Sequence, residues 1–264
     1  MLQSCKTTFQ KLTASIKPKG GVSLTRTPTL ATIEFDSKAT KNALAPSMML
    51  DLTSIVEELA SHPPPFLIMT GKNGTFCSGA DIGVAASTLM SPEGGEAMTN
   101  LMREVTDTLK ELPSVSFAAI DGAAYGGGAE LATCCDFRVL TDTAKIRFVQ
   151  AQMGVTCGWG GARRLRNIVG EKEALRLMLF REVVTPPRGL QNGLVDWAAP
   201  PTPTHSAADF VKLTLIDQLQ DLDSDIVKAL KPSLQKNDEA SVFIKHWGGE
   251  PHVAAFSRAL NRNK

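Results

Sequence analysis

Gly126, Gly127 and Gly128 run without a break into Ala129 and Glu130. Glycine lets a ligand touch the main chain and reaches dihedral angles closed to other residues. The stretch that follows, "AELATCC", reads as a helix. A glycine-rich turn at a helix start exposes unpaired N–H groups with the positive end of the helix dipole behind them. Such a site suits a phosphate, a carboxylate or an oxyanion that develops during a reaction. An acid in the first turn, as Glu130 is, either stabilises the helix or handles a proton.

The phosphate readings fail on spacing. "GGGAEL" lacks the G-x-G-x-x-G of a dinucleotide fold, and no stretch matches the G-x-x-x-x-G-K-[ST] of a P-loop. Without a G-x-S-x-G, a serine nucleophile elbow is excluded as well. His62, His205, His246 and His252 lie in segments that read as loops or helix surface. Cys5, Cys77, Cys134, Cys135 and Cys157 are odd in number and follow neither disulfide nor zinc spacing. They are expected to be buried thiols in a reducing compartment. Formal net charge is +1, so no global field pulls the chain towards nucleic acid or an anionic membrane. No apolar run approaches the ~20 residues that span a bilayer. An oxyanion site is the reading that remains.

Three motifs in order, "FCSGADI", "GAAYGGGAELATCCDFRV" and "KIRFVQAQMGVTCGWGGARRLRNIVG", resemble the crotonase (enoyl-CoA hydratase/isomerase) superfamily, and the likeness runs from about Gly21 to the C-terminus. The resemblance implies an α/β fold: a core of repeated ββα turns with a C-terminal helical region that builds trimers or dimers of trimers. It implies an acyl-CoA thioester as substrate, with coenzyme A part of that substrate and no separate cofactor or metal. The thioester oxygen would be held by the backbone N–H groups of Ala80 and Gly127. Ala43, Ala80, Asp81, Ile82, Gly83, Gly127 and Trp159 are the implied substrate contacts. Glu130 occupies the position of the first of two glutamates that hydratases of the superfamily use. Gln150 falls at the position of the second.

Glutamine has no proton to exchange near neutral pH, so it cannot serve as a general base, and its neighbour Gln152 offers no substitute. Within the superfamily, "KIRFVQAQMGVTCGWGGARRL", "CCDFRVLT", "KNALAPSMML" and the terminal "HWGGEPHVAAFSRALNRNK" are similar to the branch that decarboxylates ethylmalonyl-CoA and methylmalonyl-CoA. The resemblance implies histidine at the position where this chain has Gln150. Decarboxylation gives the same thioester enolate as proton abstraction but needs no base. It needs a poorly solvated pocket and a proton for the α-carbon. Trp159, Val155 and Phe148 could line such a pocket or serve the core, and Tyr125 could form part of its wall. Burial and a second carboxylate would raise the Glu130 pKa, while the helix N-terminus opposes the shift. Enoyl-CoA hydration or isomerisation is the rival enzymatic reading. A third is a binding protein that has lost catalysis. The basic run "ARRLRNIVGEKEALR" is broken by acids, which argues against an RNA stripe, and its cations could serve the coenzyme A phosphates.

These residues need elements to position them. "LATIEFD" alternates like a strand, and "TKNALAPSMMLDLTSIVEELASHPPP" reads as a loop and helix stopped by prolines. "FLIMTGKNG" is an apolar strand ending in a turn at Asn73-Gly74; that turn reading outweighs the glycosylation form of Asn73-Gly74-Thr75. Ser91 and Pro92 suit the N-cap and first position of a helix ending before Pro113. "SVSFAAIDGAAYGGG" is expected as one buried strand, with "FRVLT" and "KIRFVQ" as further strands and a mostly helical remainder. Alternating strands and helices predict an α/β core over residues 21–200. Residues 201–264 are expected as a helical region, with Pro200, Pro201 and Pro203 as the hinge. Residues 1–20, basic and without an acid, fit an arm with a short helix in a cytoplasmic protein or a mitochondrial presequence.

Overall fold

The computed structural model describes residues 1–83, 89–200, 206–235 and 239–262. Pro201, Pro203 and His205 lie outside the described residues. A six-stranded sheet has the order β1-β2-β3-β4-β6-β8. Its strands are β1 (Gly21–Arg26), β2 (Leu30–Asp36), β3 (Phe66–Gly71), β4 (Val115–Ile120), β6 (Phe137–Leu140) and β8 (Trp197–Ala198). β1 is antiparallel to β2, and the other neighbours are parallel. A second layer pairs β5 (Ala123–Tyr125) with β7 (Lys145–Arg147). Single bridges Leu44–Ala80, Cys77–Ala124 and Ile146–Val184 extend it.

The chain thus repeats one unit: a strand in the large sheet, an extended passage in the second layer, then a helix. β2, Leu44 and the Pro46–Ser61 helix form one such turn; β3, the Cys77–Ala80 passage and the Pro92–Glu111 helix form the next. β4, β5 and the Gly127–Ala132 helix follow, then β6, β7 and the Gly161–Val169 helix. This is the ββα superhelix that the motifs implied. Parallel neighbours require such crossovers, because a hairpin cannot return a chain in the same direction.

Both faces of the large sheet are covered. Along β3, Leu67 and Met69 enter the core between the layers, whereas Phe66 and Ile68 face a second cluster with Ala207, Ala208, Val211, Leu215 and Val227. The C-terminal region therefore begins as a layer of the core. Farther on, the Glu239–His246 and Glu250–Arg262 helices leave Phe243, Ile244, Trp247 and Phe256 exposed. At the other end, the Leu2–Thr13 helix buries Phe9 in the main core, with Lys6 bonded to Glu57 at 2.6 Å.

Several local expectations hold. Ser91 Oγ accepts from Gly94 N at 3.1 Å, Pro92 opens the helix, and Asn73 and Gly74 both have positive φ, as a tight turn demands. Others need correction. "SVSFAAIDGAAYGGG" is two strands in different layers: Gly122, at φ 67°, breaks it where an added Cβ would meet Gly74 O at 2.1 Å. The helical run after Trp159 is split at Gly170, at φ 82°. β1 and the short β8 were not apparent in the sequence.

Candidate active site

The "SGADI" passage crosses beside the triple glycine. Tyr125 N donates to Cys77 O at 2.9 Å, and a Cβ on Gly128 would stand 2.0 Å from that same carbonyl. Gly79, at φ 101°, has its open side 3.0 Å from Gly127 N. On its other edge the passage uses Gly79 O, which accepts from Leu44 N at 2.7 Å, and Asp81 N, which donates to Leu44 O at 3.0 Å. Alternation along an extended chain then turns the Ala80 N–H away from Leu44, towards the glycines. Among the described residues, neither Ala80 N nor Gly127 N donates to a backbone carbonyl. Gly127 N is the first helical N–H and has no intrahelical acceptor. Tertiary pairing thus sets the Gly79–Ala80 passage against the Gly127 helix start, although Ala80 and Gly127 are 47 positions apart.

Glu130 lies one turn along the same helix and is 2% exposed. Its Oε2 accepts from Trp159 N at 2.8 Å and Gly161 N at 2.9 Å. Its Oε1 accepts from Gln150 Nε2 at 2.9 Å and Gly158 N at 3.3 Å. Burial raises the Glu130 pKa, while the N–H donors of Gly161, Gln150, Trp159 and Gly158 pull the other way; the balance remains upward.

The "WGG" triplet has a separate job at each residue. Trp159, 3% exposed, lays its ring on Gly127: a Cβ there would meet ring carbons at 2.3, 2.5 and 2.8 Å. Gly160 has φ 79°. Gly161 makes room for Glu130, whose Cγ would stand 2.4 Å from an added Cβ.

Arg164 was not picked out beforehand. It is buried and bonds Trp159 O at 2.6 Å, Glu130 O at 3.3 Å, Thr133 Oγ1 at 3.1 Å and Thr106 Oγ1 at 3.1 Å, with Asp107 as its ion-pair partner at 3.2 Å. It ties the Glu130 helix to the Trp159 loop. Of the cations suggested for phosphates, Arg164 is therefore committed inside, and Arg163 pairs with Asp107 at 2.7 Å. A basic residue three places after "WGG", followed by Leu165, was the available signal.

The other anticipated residues divide. Ala43 is buried beside Asn42, whose Nδ2 donates to Lys72 O and Thr75 O. Asp81 is buried; its Oδ1 accepts from Gly83 N at 3.0 Å, and Lys19 Nζ lies 3.6 Å from Oδ2. Ile82 is 63% exposed. Phe148 belongs to the core, whereas Val155, at 58% exposure, and Gln152 are on the surface. Tyr125 is half-buried in β5. Cys157 has its thiol pushed up to about 12 by burial and by the nearby Glu130. Among the described residues, no group of three or more potential metal ligands occurs and no helix is long and apolar enough to cross a membrane.

Known proteins share this fold and stretches of this sequence. Solved structures share the fold: enoyl-CoA hydratase from Bacillus anthracis superposes with a TM-score of 0.81 at 21% identity, covering 91% of this chain and 96% of that one. Pseudomonas aeruginosa DspI gives 0.82 at 23%, covering 94% and 97%. In sequence, the ethylmalonyl-CoA decarboxylase of Xenopus laevis is 42% identical over 63% of this chain and 56% of its own length. The protein of that name in Danio rerio is 37% identical over 83% of this chain and 76% of its own. The match thus spans little more than half of the Xenopus relatives. The profile of the family described as enoyl-CoA hydratase/isomerase matches residues 25–250, and the chain belongs to that family, the crotonase superfamily.

Proposed function

We propose that this protein decarboxylates a malonyl-type acyl-CoA, with ethylmalonyl-CoA and methylmalonyl-CoA as substrates. The observation that carries the reading is Gln150: among the described residues, the one side chain bonded to the Glu130 carboxylate is an amide, where hydration would require a second acid. The relatives named ethylmalonyl-CoA decarboxylase support the same choice. Ala80 N–H and Gly127 N–H receive the thioester oxygen. Heterolysis of the Cα–carboxylate bond leaves its electron pair in the enolate and releases CO₂. Fixed donors aimed at that oxygen stabilise charge that exists only late in the step; losing one costs about 100- to 1000-fold in rate. Glu130, once it has taken up a proton, passes it to the α-carbon. The carboxylate left behind is received by the backbone N–H groups of Gly158, Trp159 and Gly161 and by the Gln150 amide.

Coenzyme A is part of the substrate, and these steps call for no further cofactor. The exposed apolar residues of the last two helices, Phe243, Ile244, Trp247 and Phe256, suit contacts between copies in a trimer. The test is to incubate the protein with ethylmalonyl-CoA, methylmalonyl-CoA and crotonyl-CoA in parallel and follow acyl-CoA masses, with Glu130→Gln alongside. Loss of one CO₂ from the first two, no water added to the third and a silent variant are expected. Hydration of crotonyl-CoA alone would replace this reading with a hydratase.

A further inference from the structure

Gln150 engages Glu130 with only one end of its amide. Nε2 donates to Glu130 Oε1 at 2.9 Å, while the amide oxygen is buried and meets no donor among the described residues. A primary amide carries a donor and an acceptor back to back, and half a turn about its last rotatable bond exchanges them. A carboxylate only accepts; a carboxylic acid also donates one hydrogen bond. The remaining partners of Glu130 are the backbone N–H groups of Gly158, Trp159 and Gly161, which cannot become acceptors. A proton arriving on Glu130 therefore finds one partner able to reverse.

Other polar and titratable groups nearby cannot take that part. From the Gly161–Val169 helix, Arg164 reaches the Glu130 peptide oxygen at 3.3 Å and is otherwise held by Asp107, Thr106, Thr133 and Trp159 O. From the preceding loop, Cys157 keeps a neutral thiol. From the Pro92–Glu111 helix, Asp107 is paired with Arg163 and Arg164. On the Glu130 element itself, Thr133 Oγ1 donates to Glu130 O at 2.6 Å, and buried Cys134 follows it.

We propose that Gln150 is a positioning residue whose side-chain amide turns over each time Glu130 gains or loses its proton, donating through Nε2 to the carboxylate and accepting through Oε1 from the acid. It rests on the reading of Glu130 as the proton donor. With the amide turning, both states of Glu130 keep one hydrogen bond to Gln150, so neither the armed acid nor the spent carboxylate is stranded. The outward charge balance is simple: one proton enters from water as the amide turns, and one leaves to the substrate α-carbon as it turns back.

The side-chain ¹⁵N–¹H₂ signal of Gln150 and the ¹³C carboxyl signal of Glu130 should be followed through a pH titration of the unaltered protein. Both are expected to move with a common midpoint, the Gln150 amide protons losing their carboxylate-bonded shift as Glu130 protonates. A second measurement uses Gln150→Leu. If the amide serves both states, removing it leaves the proton affinity of Glu130 within about threefold, while kcat for decarboxylation falls about tenfold and KM stays within about twofold. A fixed donor would instead stabilise only the carboxylate, and its loss would raise the proton affinity about tenfold or more. That rise, or a Gln150 signal that does not move through the Glu130 midpoint, overturns the proposal. Absence of decarboxylation alongside a shared midpoint would overturn the proposed reaction and leave the turning amide standing.

Discussion

Gly127→Ala separates the oxyanion role of this backbone from ordinary turn packing. Gly127 is not among the glycines with positive φ, so alanine meets no backbone strain there. Its obstacle is Trp159. The new Cβ would stand 2.3 Å from one ring carbon, about 1 Å inside the 3.4 Å where ordinary contact begins. The ring cannot yield cheaply, because Trp159 is buried, its N–H is bonded to Glu130, and its carbonyl accepts from both Thr106 and Arg164. The helix start must then move, carrying the Gly127 N–H off its target. Overpacking of this size costs roughly 1–3 kcal/mol, or about 2–12 °C in Tm for a chain of this length. A donor displaced by about 1 Å costs on the order of 100-fold in kcat, so rate should fall far more than stability. The assay pairs thermal unfolding with initial decarboxylation rates. Gly95→Ala is the control: its Cβ meets nothing within 4 Å in the Pro92–Glu111 helix, and it should gain about 0.5–1 kcal/mol with no change in rate. In a Trp159→Leu background the Gly127→Ala change should become nearly neutral for stability. A Gly127→Ala protein with rate within about threefold of the parent would refute the reasoning, because it would mean that this N–H aims at nothing.

Further predictions concern the shell around that helix. Burial raises the Glu130 pKa, so the folded protein binds this proton more tightly than the unfolded chain; its contribution to stability falls as pH rises from the ordinary carboxylate range through the raised value. Denaturant melts across pH should show that downward limb in the parent and a flatter one in Glu130→Gln. Arg164→Lys keeps the charge but cannot reach all of Trp159 O, Glu130 O, Thr133 and Thr106, and should cost about 1–3 kcal/mol in denaturant unfolding. Phe9→Ala should cost about 3–5 kcal/mol by the same measurement, since Phe9 is fully buried; a neutral result would mean that the Leu2–Thr13 helix is not part of the folded core.

Much of this protein can be read along the chain. Ser91 and Pro92 announce their helix because a cap and a first-turn proline act within a few residues. Asn73-Gly74 announces a turn for the same local reason. The order of the three glycine motifs was enough to recognise the family and to single out Ala80, Gly127, Glu130 and Gln150. β1 escaped notice because it is an edge strand with only partial burial and little alternation of its own.

What the sequence could not determine is what those residues touch. The Glu130 carboxylate is held from 28, 29 and 31 positions downstream, through backbone N–H groups whose residue types carry no signal for that job. The reasons for the glycines lie equally far off: Gly127 yields to the Trp159 ring, and Gly161 yields to Glu130. Arg164 looked like part of a basic surface run, and only the crossing of the Pro92–Glu111, Gly127–Ala132 and Gly161–Val169 helices makes it a buried clamp. Local propensity acts over one turn, whereas close packing and hydrogen-bond satisfaction act across the folded interior. The chain alone therefore named candidate residues, and tertiary structure alone decided which of them meet.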